Sequence, residues 1–191
     1  MSLNVIVIGA VALGPKAASR LKRLAPQAKV TMIDRDSLIS YGGCGIPYFI
    51  SGDVSEPEAL RETSFHMVRD EKFFRGAKSV EVMTRTEALS VDRAAKIVHV
   101  RNIDTKETTD LPYDKLVLAT GSRPNRLNIP GADLDGIFTV SNLNEAIKIK
   151  ELIAGGQVGR AVVIGGGAIG LEMAEALSDL WGVETSLIEF Q

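Results

Sequence analysis

The chain has 191 residues, 45% of them hydrophobic, and a formal net charge of −2 at pH 7. This length suffices for one full domain and part of another. Lys and Arg are scattered among Asp and Glu, so nucleic acid is not expected as a partner. No apolar run approaches the roughly 20 residues that span a bilayer. A strand begins almost at the amino terminus, so we expect no signal peptide, a cytoplasmic location and no membrane partner.

The first third of the chain has a strand–helix–strand pattern. A strand is predicted from Asn4 to Ile8, because residues 5–8 are continuously apolar, which is typical of a buried parallel strand. A helix is predicted from Ala12 to Leu24, with Pro15 in its first turn, where a missing N–H costs little. A second strand is predicted from Lys29 to Asp34. Together these segments predict a βαβ unit.

The middle of the chain changes character. We predict a short helix over Cys44 to Ile50 and another over Ser64 to Arg75, the second with Phe65, Val68 and Phe73 on its buried side. Short alternating segments with turn-like breaks then predict an antiparallel meander. Its four segments are Val80 to Arg85, Ala88 to Asp92, Lys96 to Asn102 and Thr108 to Leu111.

The last third begins with another buried strand, Tyr113 to Ala119, and an amphipathic helix, Asn142 to Ala154. A second βαβ start follows, predicted as a strand over Ala161 to Ile164, a helix over Ala168 to Leu180 and a strand over Glu184 to Ile188. The predicted fold is α/β: a three-layer Rossmann-like domain with an antiparallel insertion, then the start of a second Rossmann-like domain.

A domain boundary is predicted at Gly155-Gly156. Residues 1–155 would form the first segment of one nucleotide-binding domain, and residues 156–191 the start of another. A nucleotide-binding domain cannot close so soon after its first βαβ unit, so we expect further elements beyond Gln191.

A dinucleotide-binding pattern opens the second βαβ unit. Gly165-x-Gly167-x-x-Gly170 follows an apolar strand and begins a helix, whose N-terminus would supply N–H donors to a pyrophosphate. Glu189 lies 24 residues after Gly165, at a strand end. A carboxylate there accepts hydrogen bonds from ribose hydroxyls and repels a 2′-phosphate, which favours NADH over NADPH. The alternative reading is an ordinary turn with incidental glycines.

The first βαβ unit carries a degenerate version of the same pattern. Gly9 and Gly14 match the first and third glycines, whereas Val11 replaces the second. Asp34 stands 25 residues after Gly9, where a ribose-binding carboxylate is expected. The alternative is a purely structural turn.

Cys44 is the single cysteine, and it lies among Gly42, Gly43 and Gly45. A helix N-terminus lowers the pKa of a thiol, and the glycines leave room for a flat ring or a bulky thiol and also permit positive φ. A partner cysteine in a C-x-x-x-x-C pair would stand at residue 39 or 49, and neither is Cys. Cys44 would therefore cycle through a mixed disulfide, a persulfide or a sulfenic acid. The alternative is a buried packing cysteine.

The remaining candidates are weak. His66 and His99 are far apart in sequence and are each expected to be surface or satisfied histidines. No metal-ligand cluster is evident, so no metal is predicted, and Trp181 is expected to pack at a helix end.

Four stretches together resemble the pyridine nucleotide-disulfide oxidoreductase family: Val7 to Ala12, Ser40 to Tyr48, Leu118 to Pro124 and Gly165 to Gly170. Within it, the chain is most similar to the single-cysteine branch of coenzyme A-disulfide reductases, NADH persulfide reductases, NADH oxidases and NADH peroxidases. Val11 also fits the coenzyme A branch, as does Cys-Gly-Ile-Pro-Tyr after two glycines.

The resemblance implies three sets of site residues besides Cys44 as the catalytic thiol. The FAD set is Gly9, Ala10, Val11, Ala12, Gly14, Asp34, Arg35, Val82, Ala119, Thr120, Gly121 and Arg123. The NADH set is Gly165, Gly166, Gly167, Ala168, Ile169, Gly170 and Glu189. The coenzyme A set is Lys16, Arg20, Arg23, Ser40, Gly43 and Lys72.

The coenzyme A set has an alternative reading and one departure from the family. The cations of the first predicted helix suit phosphates, but they could equally form a solvated helix face. Gly43 replaces the Asn often found beside the cysteine in that branch, which puts strict coenzyme A specificity in doubt. The resemblance also implies a homodimer formed through a C-terminal domain.

The predicted function is therefore FAD-dependent, NADH-driven reduction of a coenzyme A disulfide, a persulfide or a polysulfide through Cys44. Two alternatives stay open. One is an NADH oxidase or peroxidase that uses a Cys44 sulfenic acid. The other is a non-catalytic nucleotide-binding regulator that senses redox poise.

Overall fold

The computed structural model describes residues 2–190, which fall into two compact units. One unit contains the residues up to Tyr41 together with Arg61–Ser122. The other contains Gly42–Leu60 together with the residues from Arg123 onward. The first unit contains two sheets and the second contains a pair of parallel strands, and each unit has its own helices.

The first unit is built on a four-stranded parallel sheet. Its strands, in the order in which they lie side by side, are β3 (Glu81–Met83), β2 (Lys29–Ile33), β1 (Asn4–Ile8) and β7 (Lys115–Leu118). Val5 of β1 stands opposite Val30 of β2 and Lys115 of β7. Three central residues of β1 are at most 2% exposed, as expected for a strand covered on both faces.

Two different layers cover this sheet. Val5 and Val7 face helices α1 (Leu13–Leu24) and α3 (Glu71–Lys78), which contribute Ala18 and Phe74 to the core. Ile6 points to the other face because side chains alternate along a strand. There it packs with Val98 and Val100 of a second sheet. The predicted three-layer α/β fold is therefore confirmed.

The second sheet of this unit is antiparallel, with order β4-β5-β6. It consists of β4 (Thr86–Asp92), β5 (Ile97–Asn102) and β6 (Thr108–Pro112), with a register shift between Ala88 and Ser90. The predicted meander is confirmed for these three segments. Its fourth predicted segment, Val80 to Arg85, is wrong, because β3 pairs in parallel with β2 instead. Alternation along a strand indicates a half-buried face, but it does not specify the partner or its direction.

The helix predicted over Ser64 to Arg75 is also wrong in its first half. Residues 64–70 form turns and an isolated bridge between Glu62 and Val68, and Phe65 is 85% exposed. Helix α3 begins only at Glu71, because the Asp70 carboxylate accepts a hydrogen bond from the Phe73 N–H at 2.8 Å. Asp70 thus acts as the N-cap of this helix.

The second unit combines a parallel strand pair with helices. It contains helix α2 (Ile46–Ser51), helix α4 (Leu143–Ala154), strand β8 (Arg160–Ile164), helix α5 (Ala168–Glu175) and strand β9 (Glu184–Ile188). Strands β8 and β9 pair in parallel on either side of α5 in the chain. The single helix predicted over Ala168 to Leu180 is interrupted, because a π turn over Ala176–Leu180 follows α5. Helix α2 packs against α4, α5 and this π turn.

Two side-chain hydrogen bonds cap the start of helix α4. The Asn142 side chain accepts from the Glu145 N–H at 2.9 Å, and the Glu145 carboxylate accepts from the Ser141 N–H at 3.0 Å. Burial alone would raise the pKa of Glu145. The hydrogen bonds donated by Ser141 and Thr139 outweigh burial and leave that pKa below its ordinary value.

The division into units differs from the predicted division at Gly155-Gly156. Residues 123–155 and 42–60 belong to the same compact unit as the second βαβ start. The assignment of residues 1–155 and 156–191 to two nucleotide-binding domains stays a prediction. None of the helices within residues 2–190 combines the length and the apolar composition that a membrane span requires.

Candidate functional site

The turn after β1 passes through a position that requires glycine. Gly9 has a φ of +106°, and a Cβ there would overlap the carbonyl oxygen of Ala119. A Cβ on Gly14 would overlap the carbonyl oxygen of Gly9. Glycine at both positions therefore allows the turn to form and α1 to lie close to β1. Val11, in place of the second glycine, is partly exposed.

The carboxylate of Asp34 is held beside this turn. Its Oδ2 accepts a hydrogen bond from the Ala10 N–H at 2.6 Å, and its Oδ1 accepts from the Asp36 N–H at 2.9 Å. The end of β2 is thereby tied to the turn after β1. Burial and the neighbouring Asp34 charge raise the pKa of Asp36, and Arg35 partly offsets that increase.

The turn after β8 repeats the same geometry in the second unit. Gly165 has a φ of +108°, and a Cβ on Gly170 would overlap the Gly165 carbonyl oxygen. The Glu189 carboxylate accepts from the Gly166 N–H, as Asp34 accepts from Ala10. The two turns therefore share the positive-φ glycine, the close helix and the carboxylate from the next strand end.

Each of the two turns leads into a helix whose N-terminus has no side-chain cap. Neither Ala12 before α1 nor Gly167 before α5 provides a capping hydrogen bond. The first-turn N–H groups of these helices are therefore suited to phosphate oxygens. The residues present in the first turn fit a dinucleotide such as FAD. The glycine contacts leave no room for larger residues, and the Asp34 carboxylate stands at the expected strand end.

The other FAD candidates are distributed as follows. Ala119 lies directly beside the first turn, because its N–H donates to the Ile8 carbonyl at 2.7 Å. It is followed by exposed Thr120 and Gly121, and Gly121 has a φ of +67°. Val82 is buried in β3, and Arg35 is exposed after β2. Arg123 belongs to the other compact unit.

Cys44 is an exposed free thiol in a 3₁₀ turn, Gly43–Gly45, that leads directly into α2. The Gly45 N–H closes this turn by donating to the Gly42 carbonyl at 2.9 Å. The Gly42 N–H in turn donates to the Leu60 carbonyl at 2.9 Å. A Cβ on Gly43 would meet nothing within 4 Å, whereas one on Gly45 would overlap the Leu60 side chain. The reading of Cys44 as a buried packing cysteine is therefore wrong.

The glycines around Cys44 permit positive φ, but the turn does not use that freedom. Gly42 and Gly45 have φ values of −82° and −86°, and Gly43 is not among the positive-φ residues. The left-handed residue is Ser40, with a φ of +54°. Ser40 is buried, and its N–H donates to the Ala10 carbonyl at 2.8 Å, which ties it to the first turn.

The cationic candidates share one helix. Lys16, Arg20 and Arg23 are exposed on α1 and are spaced by four and three residues, so they lie on one face. Among residues 2–190, no ion pair to a carboxylate is found for any of them. Lys72 is exposed on α3, in the same compact unit, and Gly43 lies beside Cys44 in the other unit.

Sequence reasoning missed one residue, Arg61, and the hydrogen bond of another, Trp181, which was expected only to pack at a helix end. Arg61 is 8% exposed, and its Nε donates to the Ile39 carbonyl at 3.3 Å. The Trp181 Nε1 donates to the Ile50 carbonyl at 2.7 Å. Their partners lie 22 and 131 residues away, so no local sequence signal could have identified these bonds.

The histidines take the surface roles expected of them. His66 pairs with Glu62 at 2.9 Å and His99 with Asp110 at 2.6 Å, and both histidine side chains are exposed. Within residues 2–190, no three His, Cys, Asp or Glu side chains are grouped so that they could hold a metal ion.

Known proteins resemble the chain over nearly its whole length. A coenzyme A disulfide reductase of Staphylococcus haemolyticus is 35% identical over 174 residues, which are 91% of this chain and 38% of that protein. An NADH oxidase of Lactococcus lactis is 38% identical over 91% of this chain and 37% of its own length. Among solved structures, an NAD-dependent persulfide reductase from A. fulgidus matches with a TM-score of 0.93 and 42% identity. That match covers 97% of this chain and 34% of the other.

The chain thus spans well under half of the length of these relatives. The family model for pyridine nucleotide-disulphide oxidoreductases matches residues 3–191. Its members are FAD-dependent enzymes that use NADH or NADPH, so the expected enzyme class and cofactors are those of the family. The chain therefore belongs to the pyridine nucleotide-disulphide oxidoreductase family.

Proposed function

We propose that this chain is the nucleotide-binding and thiol-bearing part of an NADH-dependent reductase that acts on coenzyme A disulfide, persulfide or polysulfide. The observation that carries the proposal is the exposed Cys44 thiol, beside the open position of Gly43. Two dinucleotide turns of matching geometry in the same chain support it. One turn would bind FAD, the electron carrier, and the other would bind NADH, the electron donor.

In this proposal the first turn and Asp34 hold FAD, and the turn from Gly165 to Gly170 with Glu189 holds NADH. Residues 1–155 then form the first segment of the FAD domain, and residues 156–191 begin the NADH domain. When bound, FAD supplies the two-electron relay between NADH and the thiol. The chain's own groups bind the phosphates at helix N-termini and accept ribose hydroxyls on the two carboxylates.

Cys44 acts alone as the sulfur nucleophile. Its thiolate attacks one sulfur of the substrate disulfide, forms a mixed disulfide and releases the first thiol. Two electrons and a proton that derive from NADH then break the mixed disulfide, restore the thiolate and release the second thiol. Ile39 and Phe49 occupy the positions where a partner cysteine would stand, so no second thiol in this chain competes for the mixed disulfide.

The cationic face of α1 would recognise the substrate. Lys16, Arg20 and Arg23 carry positive charge with no ion pair among residues 2–190, so they are available for phosphate groups such as those of coenzyme A. Ser40 and Lys72 belong to the same proposed set. Gly43 has no side chain, and the space around it is open. A substrate could therefore be bulkier here than an Asn at this position would allow.

A second candidate is an NADH oxidase. The relative from Lactococcus lactis is called an NADH oxidase and is 38% identical to this chain. The same exposed thiol would then carry a sulfenic acid and reduce oxygen or peroxide. A cytoplasmic location and a homodimer stay predictions in either case.

The test is NADH-driven turnover by the full-length protein and its Cys44→Ser variant. The proposal expects wild-type protein to reduce coenzyme A disulfide or persulfide with little oxygen consumption, and expects the variant to bind FAD but to lose this activity. Rapid NADH-dependent oxygen consumption without substrate would favour the oxidase. Unchanged turnover by the variant would rule out both reactions.

A further inference from the structure

Helix α2 is too short to hold its own position. It has six residues, and isolated helices shorter than about 12 residues are marginal in water. Five of the six are buried, so packing in the second unit supports it. The 3₁₀ turn that carries Cys44 runs directly into α2, and the Ile46 N–H donates back to the Gly43 carbonyl. The position of Cys44 therefore follows the position of α2.

Two polar side chains, one from α4 and one from just beyond the π turn, contact the other end of α2. The Trp181 Nε1, just after the π turn that continues α5, donates to the Ile50 carbonyl at 2.7 Å. This carbonyl lies in the last turn of α2, where main-chain acceptors have no partner within the helix.

The second contact comes from α4. The Lys150 Nζ donates to the carbonyls of Val54 and Ser55 at 2.9 and 2.7 Å, just beyond the end of α2. It also lies 4.1 Å from the centre of the Phe49 ring, within cation–π range. Burial lowers the pKa of Lys150, and the charge of Glu56 opposes that change. The ammonium is thus partly desolvated against the segment that it holds.

We propose that Trp181 and Lys150 are positioning residues for Cys44, because they clamp the end of α2 opposite the thiol. The importance of this clamp for turnover rests on the proposed function of Cys44, but its effect on the thiol does not. Trp181 stands at the end of the helical segment that begins at the Gly165–Gly170 turn. The clamp therefore connects α2 to the βαβ unit that contains the second dinucleotide turn.

The test measures alkylation of Cys44 by iodoacetamide at fixed pH in the full-length protein with FAD bound, quantified on the Cys44 peptide by mass spectrometry. The variants are Trp181→Phe, which keeps a ring but removes the N–H, and Lys150→Met, which keeps the stem but removes the charge. We expect each to change the alkylation rate constant at least about threefold. We also expect the double variant to lower kcat about tenfold with KM for NADH little changed, since small misplacements of reacting groups are costly.

Three further variants separate positioning from general destabilisation. Lys148→Met alters an exposed lysine on the same helix, and Val98→Ala weakens the core of the other unit. Both should leave the Cys44 alkylation rate unchanged. Lys150→Arg should restore it, since a guanidinium can also donate to two carbonyls.

The proposal is overturned if Trp181→Phe and Lys150→Met alkylate at the wild-type rate, or if Val98→Ala changes the rate as much as they do. Failure of the proposed function would look different. In that case Cys44→Ser would keep full turnover, while the clamp variants would still alter alkylation.

Discussion

The main-chain N–H of Ala10 donates to the Oδ2 of Asp34 at 2.6 Å, and this bond ties the end of β2 to the turn after β1. The same relationship joins Gly166 and Glu189 in the second unit. A carboxylate that already accepts a main-chain N–H is fixed in direction. Its remaining acceptor positions can then be presented to ribose hydroxyls.

Replacing Asp34 by Asn should weaken FAD binding. The amide keeps the shape but loses the charge, and hydrogen bonds to a charged group contribute about 1.5–3 kcal/mol. We therefore expect the Kd for FAD to rise roughly 10- to 100-fold, measured by quenching of flavin fluorescence on titration of apoprotein. Asp133→Asn, at a strongly exposed carboxylate, is the matched control. Wild-type affinity in Asp34→Asn would remove Asp34 from the proposed FAD site.

Replacing Glu189 by Gln should relax the preference for NADH. The carboxylate at the end of β9 would repel the 2′-phosphate of NADPH, and the neutral amide would not. The ratio of kcat/KM for NADH to that for NADPH should fall by roughly tenfold or more, since unit charges at about 4 Å interact by several kcal/mol near a protein surface. Glu184→Gln, at the other end of the same strand, should leave the ratio unchanged. If both variants behave alike, Glu189 does not select the nucleotide.

Alanine substitutions at three glycines should destabilise the protein in a defined order. Gly9→Ala should cost most, because the residue has a positive φ and its Cβ would overlap the Ala119 carbonyl. Gly165→Ala has only the φ penalty of roughly 1–2 kcal/mol, since its Cβ would meet nothing within 4 Å. Gly43→Ala should stay within about 0.5 kcal/mol of wild type. Urea unfolding measures all three, and a different order would contradict the turn geometry.

Much of the fold could be predicted because its signals are local. Continuous apolar runs marked β1 and β8, and glycine spacing marked both dinucleotide turns. The partner of β3 could not be predicted, since the alternation around Val82 is the same for a parallel edge strand and for a meander. Helix α3 was predicted too early because Phe65 suggested a buried face, whereas Asp70 caps the helix and Phe65 is exposed.

The candidate site shows the same limit. Cys44 and its glycines stand out in the sequence, but nothing in it indicated that Ser40 would be the left-handed residue of this segment. The hydrogen bond from Trp181 to Ile50 joins residues 131 positions apart, so it depends on tertiary packing alone.

The stability contributed by Glu145 should depend on pH. Its pKa is below the ordinary value of 4.5 in the folded protein, because hydrogen bonds to the carboxylate outweigh burial. The unfolded state then binds the proton more tightly, so this stabilisation is present above pH 4.5 and is lost as pH falls through the lower folded pKa. The difference in unfolding free energy between wild type and Glu145→Gln should shrink in that range. A difference that stays constant from pH 7 to pH 3 would show that the capping carboxylate contributes no pH-dependent stability.

The most direct test of the account is the intact mass of the full-length protein, purified without reductant, before and after dithiothreitol. The proposed chemistry predicts a coenzyme A adduct on Cys44 that dithiothreitol releases and that Cys44→Ser lacks. An added oxygen on Cys44, with no coenzyme A, would contradict the reductase and favour the oxidase.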